Sequence, residues 1–242
     1  MRFDNKVAII TGAGQGLGAA YAKDFAKEGA KVVLVDVNND TMNNVKAEIE
    51  AKGGTVIAFK TDISDYKQVE EMVNKVIEIY GTVDILINNA AVQKSVPVVD
   101  TTPELWDWQI KVNLYGTFHC SKAVLPIMMK NKYGKIVNIA SSAAKLFFPG
   151  FAAYSSSKGG MVSLTHTLSE EVKNYNINVN AIYLGMTNTD YTRARMGTDK
   201  AITIPLEEMM QVDQVSKIIL FLASDDASPI MGSAIDVFGK KA

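Results

Sequence analysis

Tyr154 and Lys158 stand one helical turn apart in the run Phe151-Ala-Ala-Tyr-Ser-Ser-Ser-Lys-Gly-Gly160. Residues at i and i+4 share a helix face. A phenol titrates near ~10 in water, so at neutral pH it is a poor proton donor or acceptor. A neighbouring ammonium favours the phenolate and draws its pKa toward the working pH, as general acid–base catalysis requires. The spacing by itself is common, and an amphipathic surface pair would show it too. A second motif narrows the chemistry. Thr11–Gly18 reads T-G-x-x-x-G-x-G, with Gly12, Gly14, Gly16 and Gly18 after a short apolar run and before a helical pattern. Glycines let a backbone turn tightly and approach a pyrophosphate, and a helix N-terminus adds unpaired N–H groups. The run is not G-x-G-x-x-G, because Leu17 holds the sixth place, and no Gly-Lys-Ser/Thr follows. A glycine-rich turn without a ligand is the bland alternative.

Three further positions bear on chemistry. Asp36 closes the apolar run Val32–Val35. A carboxylate there can accept from adenosine ribose hydroxyls and repels a 2′-phosphate. With Val37 next to it and Gln15 in the loop, the pattern favours NAD over NADP. A turn or capping role before Asn38-Asn-Asp40 is the other reading of Asp36. Ser141 and Ser142 follow the run Ile136–Ile139, where a hydroxyl can hydrogen-bond a substrate oxygen and stabilise its developing charge. Adjacent residues leaving a strand point to opposite sides, so only one is expected to serve. Asn113 lies in an apolar-rich stretch, where its amide must find partners. It could also be a polar residue that bends a helix.

These groups need elements to hold them. Short apolar runs at Val7–Ile10, Val32–Val35, Val56–Phe59, Ile85–Ile87, Ile136–Ile139, Ile177–Ile182 and Ala234–Val237 suit parallel strands buried on both faces. Between them, Ala19–Glu28, Asp40–Ala51 and Tyr66–Tyr80 carry helical spacing. The alternation predicts an α/β fold, a Rossmann-like doubly wound parallel sheet of about seven strands with helices on both faces. No linker, repeat or low-complexity tract divides residues 1–242, so one domain is expected.

Composition excludes several classes. Of 242 residues, 48% are hydrophobic and 21% charged, an ordinary globular balance. A net charge of −1 favours neither nucleic acid nor an anionic membrane. No apolar run reaches the length of a membrane span or signal sequence, so a soluble cytoplasmic protein is expected. Cys120 is the sole cysteine, which rules out an internal disulfide and fits a buried thiol in a reducing compartment. His119 and His166 are isolated, and no metal site is expected.

Together the motifs resemble the short-chain dehydrogenase/reductase family, in its single-domain branch, over almost the whole chain. The resemblance carries Tyr154 and Lys158 over as the catalytic pair, Ser141 rather than Ser142 as the catalytic serine, and Asn113 as the asparagine holding a water in a proton relay to Lys158. It implies cofactor contacts from Gly12, Gln15, Gly16, Leu17, Gly18 and Asp36. It adds Asp62 and Ile63 in Thr61-Asp-Ile-Ser64 beside the adenine, and Asn89 and Ala90 in Asn88-Asn-Ala-Ala91. Thr187 and Thr189 are implied near the carboxamide, and Lys158 at the nicotinamide ribose. The implied activity is NAD-linked hydride transfer to or from a secondary alcohol or ketone.

The chain departs from the family pattern at Leu184-Gly185, where a proline is usual, and the backbone there is expected to be looser. Ala91 replaces a glycine, and the tail Ile235–Ala242 is atypical. Leu146-Phe-Phe-Pro149 is expected to wall an apolar substrate pocket. Tyr191, Arg193, Arg195 and Met196 fall in a short lid, its arginines either solvated or facing an anionic substrate. An NADPH-linked acyl-thioester ketoreductase and a non-catalytic dinucleotide sensor are the competing readings. Relatives pair through two long helices, here expected at Pro103–Lys130 and Ala152–Tyr175, so a homo-oligomer, dimer or tetramer, is implied. Met128, Met129, Met161 and Leu164 would serve either that contact or the core.

Overall fold

The protein is described here by a computed structural model covering residues 1–196 and 204–239, without the Arg195 side chain. Seven parallel strands form one sheet in the order β3-β2-β1-β4-β5-β6-β9. They are β1 (Val7–Thr11), β2 (Lys31–Asp36), β3 (Thr55–Lys60), β4 (Ile85–Asn88), β5 (Gly134–Ile139), β6 (Ile177–Leu184) and β9 (Ala234–Val237). A two-stranded pair, β7 (Thr187–Asn188) with β8 (Met210–Gln211), lies beyond β6. The helices are α1 (Gly16–Lys27), α2 (Asn39–Glu50), α3 (Tyr66–Tyr80), α4 (Pro103–Ile110), α5 (Gly116–Asn131), α6 (Ala152–Val172), α7 (Asp190–Arg195) and α8 (Val212–Leu222).

Alternation explains the continuous apolar strands. Ala8, Ile10, Val32 and Leu34 pack on one face with Tyr21 and Phe25 of α1, Met42 of α2 and Ile219 of α8. Val7, Ile9, Val33 and Val35 pack on the other with Val69 and Val73 of α3, Val124 of α5 and Leu168 of α6. With helices on both sides, the central strands β1, β4 and β5 are interior along their whole length, while the edge strands β3 and β9 keep exposed positions. Met128, Met161 and Cys120 are fully buried, so the two methionines belong to the core rather than to an exposed contact face. Burial pushes the Cys120 thiol up to about 12.

The expected long helix over Pro103–Lys130 is interrupted. Residues Lys111–Tyr115 form a π-helical turn between α4 and α5. Such turns are rare and often sit at functional sites, and this one contains Asn113. Strand order reverses between β1 and β4, opening a crevice at the carboxyl ends of the strands. Among the described residues no helix is long and apolar enough to cross a membrane.

Candidate active site

The glycine loop joins β1 to α1. Gly12 and Gly16 have φ of +65° and +55°, which side chains resist. Gly18 is required for a different reason: a Cβ there would lie 2.1 Å from the Gly12 carbonyl oxygen. The first turn of α1 carries no acidic residue, and exposed Gln15 offers it no side-chain cap. Its N–H groups are therefore left for an anion. Leu17 faces the cleft described below. The Gly14 N–H donates to Asp36 Oδ2 at 2.9 Å, and Asn38 N–H donates to Asp36 Oδ1 at 3.0 Å. Asp36 therefore organises the turn, and it stands beside the loop.

Thr11 and Asn89 tie this loop to the end of β4. Asn89 Nδ2 donates to the Thr11 carbonyl at 2.9 Å, while the Asn89 and Ala90 N–H groups both donate to Thr11 Oγ1 at 3.0 Å. Asn88 faces the other way, and its Nδ2 donates to Asn138 Oδ1 at 2.8 Å inside the protein. Strand alternation separates the two asparagines. After β3, Asp62 Oδ1 accepts from the N–H and hydroxyl of Ser64 at 2.9 and 2.7 Å, and Ile63 is buried. Thr187 is buried and donates to the Gly185 carbonyl at 3.3 Å. Thr189 caps α7, accepting from Thr192 N–H at 3.1 Å.

Ser141, Tyr154 and Lys158 line one cleft of about 280 Å³ at the carboxyl ends of β4, β5 and β6. Lys158 is 1% exposed, and its Nζ donates to the Ile139 carbonyl at 2.6 Å, anchored to the end of β5. That Nζ lies 5.8 Å from the centre of the Tyr154 ring. Burial pulls the Lys158 ammonium down to about 7. Phe151 meets Tyr154 edge-on at 5.9 Å and orients its ring.

Asn113 is fully buried and its side chain is committed. Its Oδ1 accepts from Val92 N–H at 2.8 Å, and its Nδ2 donates to the Val92 carbonyl at 2.9 Å and to Ser157 Oγ at 3.0 Å. Ser157 in turn donates to the Tyr154 carbonyl at 2.7 Å. Sequence reading overlooked Ser157 and Thr11 as braces. Ser157 ends a run of three serines, where nothing distinguishes an inward hydroxyl from an outward one.

Two expectations need correction. Ser141 and Ser142 both line the cleft, because the chain turns into a short 3-10 segment, Ser142–Ala144, and strand alternation ends at Ile139. Of Leu146–Pro149 only Phe148 faces the cleft, and Phe147 is 99% exposed. Phe148, Phe151, Met186, Tyr191 and Ile204 supply the apolar wall, with Gln93 as a polar member. Arg193 turns to Asn188 and Asp190 instead. The Arg195 side chain and residues 197–203 lie outside the described residues.

The family model for short chain dehydrogenases matches residues 6–200. The chain belongs to the short-chain dehydrogenase family. It is 36% identical to a 3-oxoacyl-[acyl-carrier-protein] reductase of Thermotoga maritima, over 99% of this chain and 98% of that protein. The fold matches the crystal structure of levodione reductase with a TM-score of 0.92 at 31% identity, covering 98% of each chain. It matches NAD+-bound xylitol dehydrogenase with a TM-score of 0.91 at 30% identity, covering 99% of this chain and all of that one.

Against the short-chain dehydrogenase pattern, the departures are locally compensated. Gly185 N–H donates to the Val237 carbonyl at 2.8 Å, so β9 holds the turn that lacks a proline. Ala91 is not among the residues of positive φ, so its methyl group adds no backbone strain. In the tail, Asp236 pairs with Lys145, and residues 240–242 lie outside the described residues.

Proposed function

We propose that this short-chain dehydrogenase is an NAD-dependent oxidoreductase acting on a secondary alcohol or ketone. The observation that carries the reading is the convergence of Ser141, Tyr154 and Lys158 on one apolar cleft beside the glycine loop. The loop suits a dinucleotide, since Gly12 and Gly18 leave room where a Cβ would clash and Gly16 supplies a positive φ. Gly12, Gln15, Gly16, Leu17 and Gly18 would hold the pyrophosphate. Asp36 would hold the adenosine ribose, Asp62 and Ile63 the adenine, and Asn89, Ala90, Lys158, Thr187 and Thr189 the nicotinamide half. When bound, the nicotinamide supplies the hydride acceptor or donor.

The chain's own residues handle the proton. Tyr154, as phenolate, takes the hydroxyl proton of an alcohol, and as phenol it returns the proton to a ketone oxygen. Ser141 donates a hydrogen bond to that oxygen and fixes its position. Lys158, protonated, stabilises the phenolate. Desolvation in the buried site draws its ammonium down to about 7. Asn113 positions Tyr154 through Ser157. An aromatic and aliphatic wall with Gln93 suits an uncharged substrate with one further polar group. Exposed Trp106 and Trp108 on α4, Tyr115 on the π-helical turn and Phe118 on α5 suit pairing with a second copy, which light scattering would test.

The similarity to 3-oxoacyl-[acyl-carrier-protein] reductases supports a second reading, NADPH-linked reduction of an acyl thioester. Asp36 opposes it, because a carboxylate repels the 2′-phosphate. Initial rates at the NADH absorbance band, with NAD or NADP and a panel of secondary alcohols, sugars and hydroxyacyl thioesters, separate the two. Tyr154→Phe is expected to cut turnover by about 100- to 10,000-fold while NADH still binds. Substantial turnover in that variant would remove Tyr154 from the reaction, and preference for NADP with thioesters would replace the first reading by the second.

A further inference from the structure

We infer that His119 is a positioning residue for the adenine end of the cofactor, acting through the Ile63 carbonyl. The inference rests on the proposed placement of adenine beside Asp62 and Ile63. His119 lies on α5, outside the catalytic cleft, yet its Nδ1 is 2.9 Å from the Ile63 carbonyl oxygen. A carbonyl only accepts, so Nδ1 carries the proton and donates. The ring is held in turn by Tyr66, Phe118 and Tyr115, whose centres lie 5.5, 5.9 and 6.3 Å away.

The same strip of α5 takes the Ile63 side chain. A Cβ on Gly116 would fall 2.5 Å from Ile63 Cδ1, so the glycine leaves the notch in which that side chain seats. Two contacts from one helix, the Gly116 notch and the His119 hydrogen bond, therefore fix the residue that follows Asp62. On the far side, Asp62 is turned inward on Ser64, and Gln68 Oε1 accepts from the Asp62 N–H at 3.0 Å. The segment is built as a rigid edge. Rigidity there lowers the ordering cost of binding a flat heterocycle, and losing the hydrogen bond returns that cost.

The test compares His119→Phe, which keeps a ring among the aromatics but loses the donor, with His119→Asn, which keeps a donor at similar reach. Calorimetric titration with ADP-ribose reads binding of the cofactor without its nicotinamide, and steady-state kinetics with NAD reads KM against kcat. His119→Phe is expected to weaken ADP-ribose binding about three- to tenfold, the usual worth of one hydrogen bond. KM for NAD should rise in step, with kcat within about twofold, since a loss of uniform binding spares the chemical step. His119→Asn should recover most of the affinity. If His119→Phe does not fold, His119→Leu carries the same comparison. Unchanged ADP-ribose affinity in the donor-less variant, or an equal loss in His119→Asn, overturns the inference while leaving the catalytic reading intact. Failure of the unaltered protein to bind ADP-ribose or NADH overturns both.

Discussion

Asn113 donates to the Ser157 hydroxyl across 3.0 Å, joining the π-helical turn between α4 and α5 to the helix that carries Tyr154 and Lys158. The same amide grips both backbone groups of Val92. One side chain thus sets the spacing between the loop after β4 and the catalytic helix. Its geometry is that of a brace, with Nδ2 donating twice and Oδ1 accepting from the Val92 N–H.

Asn113→Ala should therefore cost stability before anything else. It strands the Val92 N–H and carbonyl in a buried place, at about 2–4 kcal/mol by urea unfolding. Ser157→Ala removes only the final link and should cost about 1 kcal/mol. Both should lower kcat more than they raise KM for the alcohol. A Ser157→Ala variant as destabilised as Asn113→Ala would mean that the Val92 grip is not the main support.

Lys158 makes a prediction in pH. Burial lowers its pKa from 10.5 to about 7 in the folded protein. Between those values the unfolded chain holds the proton and the folded chain does not, so stability rises with pH across that window. The cost of burying the ammonium is fully present below about 7. Lys158→Met should raise stability by about 1–3 kcal/mol near pH 6, with the gain fading toward pH 10. Activity should be lost. Urea melts at both pH values, without cofactor, check this, and an equal change at both would contradict a buried charge at this position.

Tyr21 is fully buried on α1, and its hydroxyl has no hydrogen-bond partner among the described residues. Burial drives its pKa far up. Tyr21→Phe removes an unpaired polar atom and little else. It should stabilise the fold by about 0.5–1.5 kcal/mol in thermal or urea melts, with kcat unchanged. A loss of stability would show that the hydroxyl is satisfied in solution.

The strands were legible because both sheet faces are covered. Val7–Ile10 and Val32–Val35 are apolar without a break, a pattern with few other interpretations. The π turn at Lys111–Tyr115 was not legible, since a single extra residue keeps the helical period on each side and changes only the phase between them. The cleft wall was only partly so: Phe147 and Phe148 are the same residue type in adjacent places, and the bend after Ile139 sends one to solvent and one inward.

By itself the sequence determined the family, the parallel α/β architecture and the residue types able to move a proton at Tyr154. These follow from local spacing, because helix and strand periods and the backbone freedom of glycine are local properties. Tertiary structure alone decided what each buried polar group is bonded to. Asn113 meets Val92 and Ser157, Lys158 meets Ile139, and His119 meets Ile63, each across many residues of chain. A buried donor or acceptor must find a partner, but which partner depends on the packing of whole elements, and no local pattern encodes that choice.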